Sequence, residues 1–235
     1  MNWLLLNSGK GEAAFNMALD EALLEAMSRL QAPVLRFYGW MEPAATFGYF
    51  QKFSEVERAT LLRPLLRRPT GGGIVPHNAD WTYSFAVPPC HEWHSLTATD
   101  SYRRIHEWIQ RAFGAMNIKT EMATEKKSAG SRADGPGQCF TGHEKSDVLW
   151  HGKKIAGAAQ RRNKLGLLIQ GSVQPPAVSP ARGHARGDWE KAMKAAALGM
   201  FSIEWGDFPS DDALFERAAE LVRQKYSQQS YNEKQ

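Results

Sequence analysis

The sequence predicts an α+β fold, a mixed and largely antiparallel sheet flanked by helices. Short strand-like runs separated by turn residues recur as far as Val173, long segments repeat apolar residues at helical spacing, and the glycine-rich loop lies between strands. That last placement excludes the phosphate-cradling and dinucleotide-binding turns, which feed directly into a helix N-terminus. With 235 residues, 43% of them apolar, the chain is long enough to bury a real core. The expected organisation is a single domain over 1–227, its core ending at about 174 and followed by a linker over 175–187. Helices then occupy 188–227, and a polar, frayed tail covers 228–235.

Trp3 to Asn7 reads as a short buried strand. Phe15 to Leu30 places Met17, Ala18, Ala22, Leu23, Ala26 and Met27 on one helical stripe, with Asp20, Glu21 and Glu25 facing outward. Residues 33–40 and 45–50 read as two strands of a hairpin turning near Glu42-Pro43. Trp81 to Val87 alternates large and small side chains and stops at Pro88-Pro89, as a strand does. A second helix runs from about Asp100 to Met116, where Thr97 with Asp100 resembles a capping box. Ile118 to Ala123 is a further short strand, and 124–138 is a surface loop ending at Cys139. Asp147 to Gly157 reads as a hairpin turning at His151-Gly152, and Gly166 to Val173 as the next strand. Helices around 188–198 and 210–227 complete the pattern.

The charge balance, 29 basic against 25 acidic residues for a net +4, is spread without a basic block. It fits an acidic partner surface or a phosphate-bearing ligand and does not indicate nucleic acid. The apolar run at the N-terminus is too short for a signal segment, and no stretch approaches bilayer length, so a cytoplasmic protein without a membrane partner is expected. Two cysteines, Cys90 and Cys139, make a disulfide framework unexpected and leave each as buried filler or nucleophile.

Two runs carry candidate chemistry. In Arg67-Arg68-Pro69-Thr70-Gly71-Gly72-Gly73-Ile74-Val75-Pro76-His77, three glycines suit a place where another backbone or a ligand approaches closely. The arginines would hold an anionic group, with loop amides adding donors; a tight turn at positive φ is the plain alternative. In Gly152-Lys153-Lys154-Ile155-Ala156-Gly157-Ala158-Ala159-Gln160, small residues leave room for a ligand beside a lysine able to act as clamp or proton acceptor. A solvated lysine on an edge strand is the bland counterpart. Cys90-His91-Glu92-Trp93-His94 gathers ligand types without metal-site spacing, so no metal is expected and Cys90 is assigned a structural role.

These motifs, with Asn16 to Leu23, Leu35 to Trp40 and Gly48 to Gln51 in the same order, resemble the biotinyl/lipoyl protein ligase superfamily. The resemblance covers roughly Leu5 to Gln174 and is strongest in the lipoate-protein ligase A and octanoyltransferase branch. It implies the catalytic-domain fold of that family and an acyl or adenylate pocket. Arg68, Thr70, Gly71, Gly72, Gly73 and His77 would form one wall, Gly157 and Ala158 the other, with Lys154 at the reacting carbonyl or phosphate.

Cys139-Phe140 ahead of Lys154-Ile155-Ala156-Gly157 is similar to the cysteine-dependent octanoyltransferases. That likeness implies transfer of an octanoyl or lipoyl group from acyl carrier protein, through a Cys139 thioester, to a lysine of a lipoyl carrier domain. The carriers implied are the glycine cleavage H protein or a 2-oxoacid dehydrogenase E2, with no cofactor required. Cys139 needs an activating group, for which Lys154 is favoured over His143 or Lys145. Gly73 resembles the ligases instead, and the alternative is an ATP-dependent lipoate-protein ligase using ATP and Mg²⁺ through lipoyl-adenylate. A non-catalytic carrier-binding scaffold is a third reading.

Overall fold

The structure, a computed structural model, describes residues 2–127, 142–175 and 185–234. Alternation in three strands, β2 (Val34–Trp40), β6 (Trp81–Val87) and β10 (Gly166–Val173), decides the architecture. Leu35, Phe37, Trp81, Tyr83, Phe85, Leu167, Ile169 and Val173 point to one face and join a single buried cluster. The opposite face changes character along its length. Cross-strand rows run Val34–Ala86–Leu168, then Arg36–Ser84–Gln170, then Tyr38–Thr82–Ser172, from wholly apolar to polar. A polar row beneath a helix has to be hydrogen-bonded or face a ligand, so the site begins where this face stops being apolar.

These strands lie within an eight-stranded sheet ordered β11 (Glu204–Asp207), β1 (Asn2–Gly11), β2, β6, β10, β9 (Lys153–Asn163), β8 (Val148–Trp150), β7 (Glu121–Met122). Strand β1 is parallel to both neighbours and the remaining pairs are antiparallel. Helices α4 (Ala98–Ala115) and α5 (Arg186–Phe201) cover the apolar face through Trp108, Ile109, Trp189 and Met193. On the other face α1 (Ala13–Leu30) and α6 (Asp212–Leu221) bring Leu19, Leu23, Leu214 and Ala218. The fold class is therefore the one expected. Local signals hold as well: Thr97 Oγ1 accepts the Asp100 N–H at 3.1 Å to cap α4. The β8–β9 turn has His151 at φ 49° and Gly152 at φ 72°, the paired left-handed geometry of a two-residue hairpin.

Several expectations are corrected. Residues 33–40 and 45–50 do not form a hairpin, because both edges of β2 are already taken by β1 and β6. The second run forms β3 (Ala44–Phe47), the centre of a separate three-stranded sheet between β4 (Leu65–Arg67) and β5 (Val75–His77). A helix unforeseen in the sequence, α2 (Phe53–Ala59), packs Val56 onto this sheet with Ala45, Phe47, Leu65 and Ile74. Asp20 and Glu21 are buried instead of facing outward, since α1 meets polar groups from the sheet and from the C-terminal segment. The tail is not frayed: after a π-helical turn over Val222–Tyr226, Gln229–Asn232 form α7 and Asn232 is buried. Strand β11 was also unforeseen, while part of the 175–187 linker and of the 124–138 loop lies outside the described residues.

Candidate active site

Between the two sheets lies a partly open cleft, whose atom-free space is about 450 Å³ with the adjoining solvent included. Its floor is the polar half of the large sheet, where Tyr38, Thr82, Gln170 and Ser172 meet Gly157, Ala158 and Ala159 of β9. Its roof comes from the small sheet and the glycine loop, through Thr46, Arg68, Gly72, Val75 and His77, while Met17 of α1 closes one end. Five of the residues assigned to the pocket from the sequence, Arg68, Gly72, His77, Gly157 and Ala158, thus line one cavity.

One of the loop's glycines, Gly72, answers to its packing. Gly72 sits at φ +90°, and the end of β3 passes so near that a Cβ on Gly48 would lie 2.0 Å from the Gly72 carbonyl oxygen. Thr70 faces the floor and donates to Gln170 Oε1 at 2.8 Å. The Arg68 guanidinium turns onto its own loop, donating to the Gly71 and Gly73 carbonyls at 3.0 and 2.8 Å. Arg67 is likewise occupied: its fork donates to the carbonyls of Tyr49, Gln51, Tyr231, Asn232 and Lys234. The two arginines expected to hold an anionic group thus direct these donors at backbone carbonyls, and Arg68 also lines the cleft.

Beneath the roof, His77 Nδ1 lies 2.8 Å from Asp80 Oδ2 and Nε2 lies 2.8 Å from Thr46 Oγ1, with the ring stacked on Trp40 at 3.8 Å. Burial works to raise the Asp80 carboxyl, but the His77 charge and hydrogen bonds from His77, Ser172 and Thr82 outweigh it and hold it below the usual range. Asp20 is a second hub that the sequence reading missed. Its Oδ1 accepts from Arg36 and Ser84, both at 2.6 Å, and its Oδ2 from Tyr38 at 3.0 Å and Gln170 at 2.7 Å. Burial, then the Asp20 charge, raises the Tyr38 hydroxyl well above its ordinary value, which keeps it a neutral donor.

Lys154 stands at the start of β9, where its Nζ pairs with Asp147 Oδ2 at 2.8 Å and both side chains are buried. Tyr102 of α4 donates to Asp147 Oδ1 at 2.9 Å, and its hydroxyl accepts the Ala158 N–H at 3.4 Å, connecting the ion pair to the cleft wall. Cys139 and Phe140 lie outside the described residues. Of the two alternative activating groups, Lys145 is exposed and His143 bridges Lys127 through its backbone. Cys90, assigned a structural role, is exposed; His91 caps a short helix, α3 (Glu92–Ser95), and His94 Nε2 meets the Asn163 carbonyl at 2.9 Å.

His106, packed against this group, bonds the Ser146 carbonyl through Nδ1 at 2.7 Å. Burial pushes its imidazole down to about 4, against the opposing pull of the Asp147 charge. The unfolded chain protonates near 6.5 and the folded one only near 4. Between those values the unfolded state binds more protons, so acidification costs stability, on the order of 3 kcal/mol across the window. Urea midpoints at pH 7 and pH 4.5 should differ more in the wild type than in His106→Gln. Comparing the two proteins also cancels His91, which burial likewise lowers; equal differences would remove the assignment.

Residues 12–174 match the family model of the lipoyl protein ligase A/B catalytic domain. The chain belongs to that family. Among relatives of this lipoyl ligase-type domain, octanoyltransferase LipM of Kyrpidia tusciae is 38% identical over 178 residues, 73% of this chain and 65% of that protein. The chain thus spans just under two thirds of that relative's length. Two solved structures share the fold. A lipoate-protein ligase A bound with ATP superposes with a TM-score of 0.79 at 21% identity, covering 99% of each chain. A bi-partite lipoate protein ligase from Thermoplasma acidophilum, studied with its E2 lipoyl domain, gives 0.75 at 19%, covering 99% of this chain and 96% of that one. Among the described residues of this family member, no helix is long and apolar enough to cross a membrane.

Proposed function

We propose that the protein is an octanoyl- or lipoyltransferase of protein lipoylation, acting in the cytoplasm on a lysine of a lipoyl carrier domain such as the H protein or an E2. The carrying observation is the cleft itself, with Gly157, Ala158 and Ala159 of β9 opposite Gly72, and with Lys154 at the start of that strand in a buried pair with Asp147. A cleft walled by glycine and alanine leaves width for an unbranched acyl chain.

In this reading the Cys139 thiolate attacks the thioester carbonyl of octanoyl-acyl carrier protein, the acyl–sulfur bond to the carrier breaks, and the carrier's sulfur leaves as thiolate. The neutral amine of the lipoyl-domain lysine then attacks the Cys139 thioester, the acyl–sulfur bond breaks, and the amine's proton passes to the departing Cys139 sulfur, leaving an amide and the free cysteine. Lys154, held by Asp147 at 2.8 Å, is the cation assigned to the oxyanion of both steps. No cofactor is needed, because a thioester carries the acyl group at both stages. The second reading, an ATP- and Mg²⁺-dependent ligase with Lys154 at the phosphate, is favoured by Gly73 and would make Cys139 dispensable.

Incubation with octanoyl-acyl carrier protein without ATP, followed by intact mass measurement, separates them. An octanoyl adduct present in the wild type and lost in Cys139→Ser is expected. Full activity of Cys139→Ala with lipoate and ATP would overturn the transferase reading.

A further inference from the structure

We propose that residues 225–234 form a clasp holding the roof of the cleft onto its floor, with Arg67 and Asn232 as positioning residues for the glycine loop. The roof belongs to the three-stranded sheet and the floor to the eight-stranded one, and among the described residues the two share no strand pairing. Something must fix the distance between them, and the C-terminal segment grips both.

On the roof side, Asn232 Oδ1 accepts the Arg67 N–H at 2.9 Å, on the residue just before the loop. The Arg67 guanidinium donates to the Tyr231, Asn232 and Lys234 carbonyls at 3.2, 3.1 and 2.6 Å, and to Tyr49 and Gln51, each at 2.7 Å. One buried fork thus ties the C-terminal segment to the turn after β3. That turn holds the loop directly, because the Tyr49 N–H donates to the Thr70 carbonyl at 2.9 Å and the Lys234 ammonium lies 3.9 Å from the Tyr49 ring centroid.

On the floor side, Lys225 Nζ and Tyr226 OH both reach Glu21 Oε2 at 2.6 Å, and Glu21 Oε1 lies 3.6 Å from Arg161 of β9. Asn232 Nδ2 donates to the Tyr226 and Gln228 carbonyls at 2.9 and 3.2 Å, joining the two grips into one unit. An arginine aimed at five carbonyls binds no ligand; its chemistry is that of a fastener, and what it fastens is the strand that leads into the loop. The width of the cleft then depends on the clasp, and so does the length of chain it admits. The clasp concerns the cleft wall and stands whichever acyl donor is used.

Hydrogen exchange of the full chain tests it. In Asn232→Ala, the amides of Tyr49 and Arg68, which bond Thr70 and Phe47 carbonyls, should exchange roughly tenfold faster or more. Amides of β6 and β10 should keep their wild-type rates. Asn232→Asp, which retains the acceptor for the Arg67 N–H, should fall between the two and serves if the alanine variant folds poorly. Where transfer is measurable, kcat/KM for dodecanoyl relative to octanoyl donors should rise in the variants. Unchanged exchange at Tyr49 and Arg68, or equal acceleration throughout both sheets, overturns the clasp. Failure of the wild type to accept any acyl donor would count against the transferase reading alone, and the exchange result would still decide the clasp.

Discussion

Under the proposed transfer, replacing Lys154 with methionine should lower kcat by about 10²- to 10³-fold, the cost of removing one donor to a developing oxyanion. The variant also leaves Asp147 buried without its cation, and breaking a buried pair from one side costs about 3–5 kcal/mol. A drop in activity alone would therefore be ambiguous. The double variant Lys154→Met, Asp147→Asn separates the two effects. The amide keeps an oxygen for the Tyr102 hydroxyl, which reaches Oδ1 at 2.9 Å, and no longer carries a charge. Thermal unfolding should recover most of the lost stability while kcat stays low. Recovery of turnover along with stability, or a single variant within tenfold of wild-type kcat, would remove Lys154 from the reaction and leave it as a structural partner of Asp147. Measuring the acylation burst separately from carrier turnover would show whether both half-reactions lose the donor.

Much of the site was legible because its residues are consecutive. The glycine loop and the Lys154 strand each occupy one stretch of sequence, and the alternation of Trp81 to Val87 identifies a strand whose small positions, Thr82 and Ser84, line up with Tyr38 and Arg36. What escaped is whatever is assembled across the fold. Asp20 fits the polar side of α1 by spacing, yet that side meets Arg36, Tyr38, Ser84 and Gln170 from three strands. No local pattern distinguishes a solvated carboxylate from one that gathers four donors. The false hairpin has the same origin: two strand-like runs separated by a turn predict pairing, and only the presence of β1 and β6 on both edges of β2 prevents it. Arg67 and Arg68 look like an anion site for as long as the carbonyls they serve, some of them more than 160 residues away, are out of sight. Asn232 fails in the opposite direction, a polar residue in a polar tail whose burial depends wholly on that distant arginine.

Asp20→Leu should destabilise the protein by about 3–5 kcal/mol, because Arg36 would be left as an unpaired buried cation. Both side chains of that pair are fully buried, with the Nη1–Oδ1 distance at 2.6 Å. A simple ion pair would be rescued by removing its other member, since replacing both charges with apolar groups is often neutral or stabilising. Here rescue should fail. In Asp20→Leu, Arg36→Met the hydroxyls of Tyr38 and Ser84 and the amide of Gln170 still lose their acceptor, and each buried orphan costs about 1–3 kcal/mol. The double variant should therefore remain several kcal/mol below wild type in urea unfolding at pH 7, with an unchanged dependence on denaturant. Gln170 carries the effect into the cleft, since its Oε1 is the acceptor for Thr70 at 2.8 Å and its Nε2 donates to Asp20 at 2.7 Å. With Asp20 gone, Gln170 is able to turn, and the glycine loop loses a tie to the floor. If the double variant instead matched wild-type stability, Asp20 and Arg36 would form an isolated pair, and the chain of bonds from α1 through Gln170 to Thr70 would contribute nothing to holding the roof.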